Sequence, residues 1–134
     1  MDDRFDFMKR IIEMDPFLRL VGISVVSLKE GYAKLSMEFR EEITRIGNIA
    51  NGGAIATLAD ATGGASVLTL LTGKNQVTVS LNIEFLEAIE SGPITGEARI
   101  ERTGKHLAFT SINIFDGKEK LCAHAQGIYF LKDF

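Results

Sequence analysis

Between positions 46 and 73 the chain carries a single ionisable side chain, Asp60, although 25% of its 134 residues are charged. Such a stretch has no polar face to offer to solvent. From position 52 to about Leu71 it is long enough for a helix, and its even apolarity predicts a helix enclosed by other elements. Gly63 and Gly64 sharpen the expectation: each costs a helix about 1 kcal/mol relative to alanine, so a helix that keeps them is expected to press close against strands. The glycines, threonines and Asp60 also argue against a lipid environment for this segment.

The flanks supply the strands. Residues 23–28 and 32–39 surround the turn Lys29-Glu30-Gly31, and Ala33, Leu35, Met37 and Phe39 alternate with Lys34, Ser36 and Glu38, which predicts a hairpin. A polar loop over 40–51 leads into the helix. After it, residues 76–86, 94–102, 106–115 and 120–131 read as antiparallel strands, separated by Ser91-Gly92-Pro93, Thr103-Gly104 and Asp116-Gly117. Val77, Val79, Leu81, Ile83 and Phe85 read as one face of the first of these, with Thr78, Ser80, Asn82 and Glu84 on the other. Phe7, Ile11 and Met14 at helical spacing predict a short amphipathic helix over 3–14, ended by Pro16 and followed by a turn over 17–21.

The order predicts an α+β fold in which a curled antiparallel sheet wraps a central helix. With 46% hydrophobic residues, the chain is expected to form one domain over 1–134, of which 1–21 is an N-terminal helical segment. Ala108, Ile112, Ile114, Cys122, Ile128 and Phe130 are expected to form a second apolar face on the last two strands, which subunit contacts would cover. A net charge of −3 with scattered basic residues excludes a nucleic-acid footprint. One cysteine and two histidines, without ligand spacing, predict no disulfide and no metal site. The mixed N-terminus is not a signal sequence, and with no membrane segment the expected location is cytoplasmic.

Two features can carry chemistry. Asn51-Gly52-Gly53 stands at the start of the buried helix, where the first N–H groups lack intrahelical partners. Backed by the helix dipole, they could hold a developing oxyanion; equally, they could be a helix start capped by Asn51. Asp60 loses solvation in an apolar helix unless it is paired or lies in a wet cleft. It is either a general base or nucleophile, or a structural carboxylate accepting hydrogen bonds from hydroxyls such as that of Thr57. Arg99, Arg102, Lys105 and His106 cluster at the Thr103-Gly104 turn, as a phosphate clamp or as a solvated turn.

Three segments together resemble the hot-dog-fold thioesterases of the phenylacetate-degradation and thioesterase superfamily member 2 type. They are Asn51-Gly52-Gly53 with Asp60 seven residues further on, the strand from Val77 to Leu86, and Gly104-Lys105-His106-Leu107-Ala108-Phe109-Thr110-Ser111. The resemblance covers nearly the whole chain. It implies that the central helix is the sausage of the hot-dog, that the Gly52 N–H polarises a thioester carbonyl, and that Asp60 of a facing subunit is base or nucleophile. It further implies that Thr78 positions the attacking water and Asn51 orients the helix start, while Gly53, Ser80, Phe85, Arg102, Lys105 and His106 lie along the coenzyme A path. Coenzyme A is then part of the substrate, no separate cofactor is expected, and a homodimer, or a homotetramer built from two, is the expected assembly. Two positions depart from the family: Asn51 replaces its histidine, and Arg45 stands where asparagine is common. The activity implied is acyl-CoA hydrolysis; the alternative is a non-catalytic acyl-CoA binding or sensing protein.

Overall fold

The computed structural model describes residues 3–70 and 72–133. Two helices, α1 (Asp3–Glu13) and α2 (Pro16–Leu20), precede the hairpin β1 (Ile23–Lys29) and β2 (Tyr32–Met37). The loop that follows holds a single 3-10 turn (Glu41–Ile43) and a two-stranded ribbon, β3 (Thr44–Arg45) with β4 (Ile49–Ala50). Helix α3 (Gly52–Leu68) leads into β5 (Asn75–Phe85), β6 (Ile94–Thr103), β7 (Leu107–Phe115) and β8 (Leu121–Lys132). The expected helix end, Leu71, lies outside the described residues. The six long strands form one antiparallel sheet in the order β1-β2-β6-β7-β8-β5, which leaves β5 at an edge.

Helix α3 packs against all six strands, and its buried residues run from Ile55 to Val67. Its buried hydroxyls satisfy themselves on preceding turns: Thr62 donates to the Leu58 carbonyl, Ser66 to that of Gly63 and Thr69 to that of Ser66. These local bonds let polar side chains enter the core, and Thr69 Oγ1 also accepts from the Gly31 N–H of the β1–β2 turn at 2.8 Å. Glycines set the depth of contact. A Cβ on Gly96 of β6 would lie 2.5 Å from Thr62 Oγ1, and one on Gly63 would collide with the Tyr129 hydroxyl and lie 2.8 Å from Ile112 Cδ1. Gly63→Ala is therefore expected to destabilise the protein by about 1–3 kcal/mol despite the better helix propensity of alanine, as chemical denaturation would show.

Three expectations need correction. Pro16 does not end in a turn: it begins α2, where a missing N–H is harmless, and Asp15 caps that helix by accepting from Phe17 and Leu18 N–H. Secondly, Ala108, Ile112, Ile114 and Cys122 do not form an outer face; all four are at most 1% exposed, on the core side of the sheet. The outward residues are Leu107 and Phe109 of β7, paired with Phe130 and Ile128 of β8. Thirdly, β5 does not alternate unbroken. Its register against β8 shifts between Thr78 and Ser80, a β-bulge at Val79. Thr78 pairs with the buried Tyr129 and Ser80 with the next residue, Ile128. Directly paired residues share a face, so Thr78 belongs to the core-facing side and not to the polar face with Ser80.

Candidate active site

Asp60 projects from the middle of α3 toward β5, and the bulge turns Thr78 to meet it. Thr78 Oγ1 donates to Asp60 Oδ1 at 2.7 Å. Behind the carboxylate stands Tyr129, fully buried, whose hydroxyl lies 3.0 Å from the Asp60 carbonyl and 3.3 Å from Oδ1. Burial, and then the charge of Asp60, push the Tyr129 phenol well above its usual range, so it stays a protonated donor. Space for the ring comes from small residues on both sides: a Cβ on Gly127 would stand 2.7 Å from Tyr129 Cε2, and Gly63 leaves room for the hydroxyl. Both donors converge on Oδ1. No described group hydrogen-bonds Oδ2, which leaves that oxygen as an acceptor for a ligand or water.

A cleft of about 650 Å³ opens at this carboxylate. One wall is α3, with Thr57, Asp60, Ala61, Ala65 and Leu68; β5 supplies Gln76 and Leu81, and the N-terminal helices supply Ile12, Phe17 and Leu18. Ile12 and the Glu13 carboxylate, which accepts from the Val25 N–H at 2.9 Å, hold α1 on β1. Of the apolar residues in the N-terminal segment, Phe17 borders the cleft while Phe7 and Met8 border a separate groove with Gly73.

At the helix start Asn51 is the N-cap: its Oδ1 accepts from the Gly53 N–H at 2.6 Å. That donor is therefore engaged. The Gly52 N–H has no partner among the described residues, and the nearest side chain to a Cβ built on Gly52 is Phe85, at 3.8 Å. Thr57 donates to the Gly53 carbonyl, so it does not serve Asp60. Gly52 and Asp60, eight residues apart on one helix, are about 12 Å apart along its axis. Ser80, Arg102, Lys105 and His106 are exposed and do not border the Asp60 cleft within one chain. His106 stacks on Phe130 with ring centroids 6.2 Å apart. Arg45 lies exposed in β3.

Tyr129 and Gln76 are site residues that sequence reasoning missed. An inward tyrosine needs a partner for its hydroxyl, and Asp60 is the sole carboxylate of the buried helix; that pairing was the available signal. Cys122 is no nucleophile candidate. Burial, with the nearby Asp116 carboxylate, pushes its thiol up, and Sγ donates to the Lys120 carbonyl. Among the described residues no acidic, histidine and cysteine group could hold a metal, and no helix is long and apolar enough to cross a membrane.

Residues 47–123, from the loop before α3 into β8, match the profile of the thioesterase superfamily. The chain belongs to this family. A Thermoplasma acidophilum protein named "Putative esterase" is 37% identical over 124 residues, covering 92% of this chain and 94% of its own. A Saccharolobus solfataricus protein of the same name is 33% identical over 132 residues, with 98% and 94% covered. The PaaI protein of the E. coli phenylacetic acid degradation operon superposes with a TM-score of 0.87 at 23% identity, over 95% of this chain and 91% of that one. A thioesterase from Haemophilus influenzae gives 0.87 at 19% identity, over 96% and 90%. These structures share the fold, a hot-dog, with the central helix as its filling. Thioesterase membership and esterase-named relatives together support hydrolysis of a thioester.

Proposed function

We propose that the protein is an acyl-CoA thioesterase whose site lies between two subunits. The observation that carries the reading is the Asp60 carboxylate, fixed through Oδ1 by Thr78 and Tyr129 with Oδ2 free at the head of an apolar cleft. Water attacks the thioester carbonyl carbon as Asp60 takes its proton; alternatively, the carboxylate attacks directly and water hydrolyses the resulting anhydride. The Gly52 N–H of the facing subunit stabilises the oxyanion, the C–S bond breaks, and the coenzyme A sulfur leaves to be protonated. Thr78 spends its proton on Asp60, and its oxygen lone pairs remain to orient the water.

The two-subunit arrangement rests on distance, since one carbonyl cannot reach both ends of a separation of about 12 Å. Edge strand β5 offers unpaired backbone for a two-fold partner, and pairing there brings the Asp60 of one chain toward the Gly52 of the other. Phe85, beside Gly52, and Gly53 would follow the coenzyme A moiety at the Gly52 end, with Ser80, Arg102, Lys105 and His106 along the rest of its path. Two dimers would pack into a tetramer through Leu107, Phe109, Ile128 and Phe130, the apolar quartet of the outer face. No cofactor is needed beyond the coenzyme A of the substrate, and the expected setting is the cytoplasm.

A panel of acyl-CoAs with a thiol-release assay tests the reading. Turnover of at least one ester at substrate-dependent, saturable rates is expected. Saturable acyl-CoA binding by calorimetry without thiol release over hours would instead favour a binding or sensing protein, the outcome to which the non-titrating Asn51 points.

A further inference from the structure

Gln76 is a polar side chain of the Asp60 cleft that hydrolysis does not use. Gln76 lies two residues before Thr78 and, like it, ahead of the bulge; it pairs with the inward Leu131 as Thr78 pairs with the inward Tyr129. Its side chain therefore enters the cleft one step deeper along the strand. There it lies against α3 over Gly64, one helical turn beyond Asp60: a Cβ on Gly64 would stand 2.5 Å from Gln76 Nε2 and 3.0 Å from Cδ. The missing side chain at Gly64 is what lets the amide lie there. Around it the cleft is largely apolar, with Ala61, Ala65, Leu68, Leu81 and Leu18, and the other neutral polar side chains lining it are engaged: Thr57 donates to the Gly53 carbonyl and Asn75 Oδ1 accepts from the Gln76 N–H. No described group hydrogen-bonds the Gln76 side-chain amide, and neither of its polar atoms is sealed from solvent. The ionisable residues lining the cleft are two acids, Asp15, which caps α2, and Asp60, so nothing there balances a second negative charge.

An unbranched saturated acyl chain laid over this amide would strip its water and return nothing, whereas a hydroxyl or keto oxygen would restore a hydrogen bond. We infer that Gln76 is a specificity-determining residue, and that the site takes a neutral acyl group with an uncharged hydrogen-bonding substituent, roughly 6 Å beyond Asp60, in preference to a plain saturated chain. This rests on the acyl-CoA reading and on the acyl group, not coenzyme A, filling the Asp60 cleft.

The test is a hydroxyl scan. Hexanoyl-CoA and its monohydroxylated forms, with the hydroxyl moved carbon by carbon, are compared by kcat/KM in the native protein, Gln76→Leu and Gln76→Met. One hydroxyl position is expected to be favoured about fivefold or more over hexanoyl-CoA, the worth of one net hydrogen bond. Both variants should bring that ratio close to one. A native protein that favours no hydroxylated ester, or a preference that survives both substitutions, overturns the inference. Calorimetry with the free hydroxy acids and hexanoic acid separates this from the hydrolysis reading. A Gln76-dependent preference in binding without thiol release upholds the role of Gln76 and removes the thioesterase activity. Thiol release without any Gln76-dependent preference does the reverse.

Discussion

Asp60→Asn is expected to lower kcat on the best acyl-CoA by about 10²- to 10⁴-fold, the range for losing a positioned general base. The substitution is nearly isosteric, and the asparagine carbonyl oxygen can accept from Thr78 and Tyr129 as Asp60 Oδ1 does. The fold should therefore survive, and substrate affinity should change little, because the missing function is proton acceptance at the second oxygen. Steady-state kinetics alongside a thermal melt checks both halves. Equal turnover by the two proteins would remove Asp60 from the chemistry.

Gly52→Pro should cost about 10²- to 10³-fold in kcat, as expected for one oxyanion donor. Proline deletes the N–H while suiting the site: Gly52 is the first helical residue, where proline is favoured. The preceding Asn51 has φ −66° and ψ 135°, the extended geometry that a residue before proline prefers. A Cβ there meets only Phe85, at an ordinary 3.8 Å. Gly52→Ala keeps the donor and is the control; it should retain most of the activity. Equal losses in both variants would indicate a steric effect instead of a lost hydrogen bond.

Much of the fold was legible because its signals are local. One carboxylate in a long apolar run fixed the central helix, turn residues divided the strands, and Gly63 and Gly64 announced a close helix-sheet contact. The misread faces trace to two places where alternation does not tell the whole story. Val77, Val79 and Leu81 keep period two through the bulge, yet the extra residue at Val79 reverses which side the preceding residues take, and so hides Thr78 on the wrong face. In β7 and β8 both faces carry large apolar residues, so periodicity separates the faces without saying which is inward. A second register shift, between Ile114 and Phe115, sends Cys122 to the core while Ile128 and Phe130 point out. The elements of the proposed site were legible one by one in Asn51-Gly52-Gly53 and Asp60. The tyrosine behind the carboxylate was not, because it approaches from 69 positions away in sequence.

The central claim, a thioester held between Gly52 of one subunit and Asp60 of the other, is tested most directly by mixing the two inactive proteins. Asp60→Asn and Gly52→Pro chains are unfolded together, refolded, and sized by light scattering before assay. Random pairing makes half of the dimers mixed, and each mixed dimer has one intact site of two, so activity should recover to about a quarter of the native value. Mixed dimers no more active than the separate parents, or a native monomer that hydrolyses acyl-CoA, would contradict the shared site.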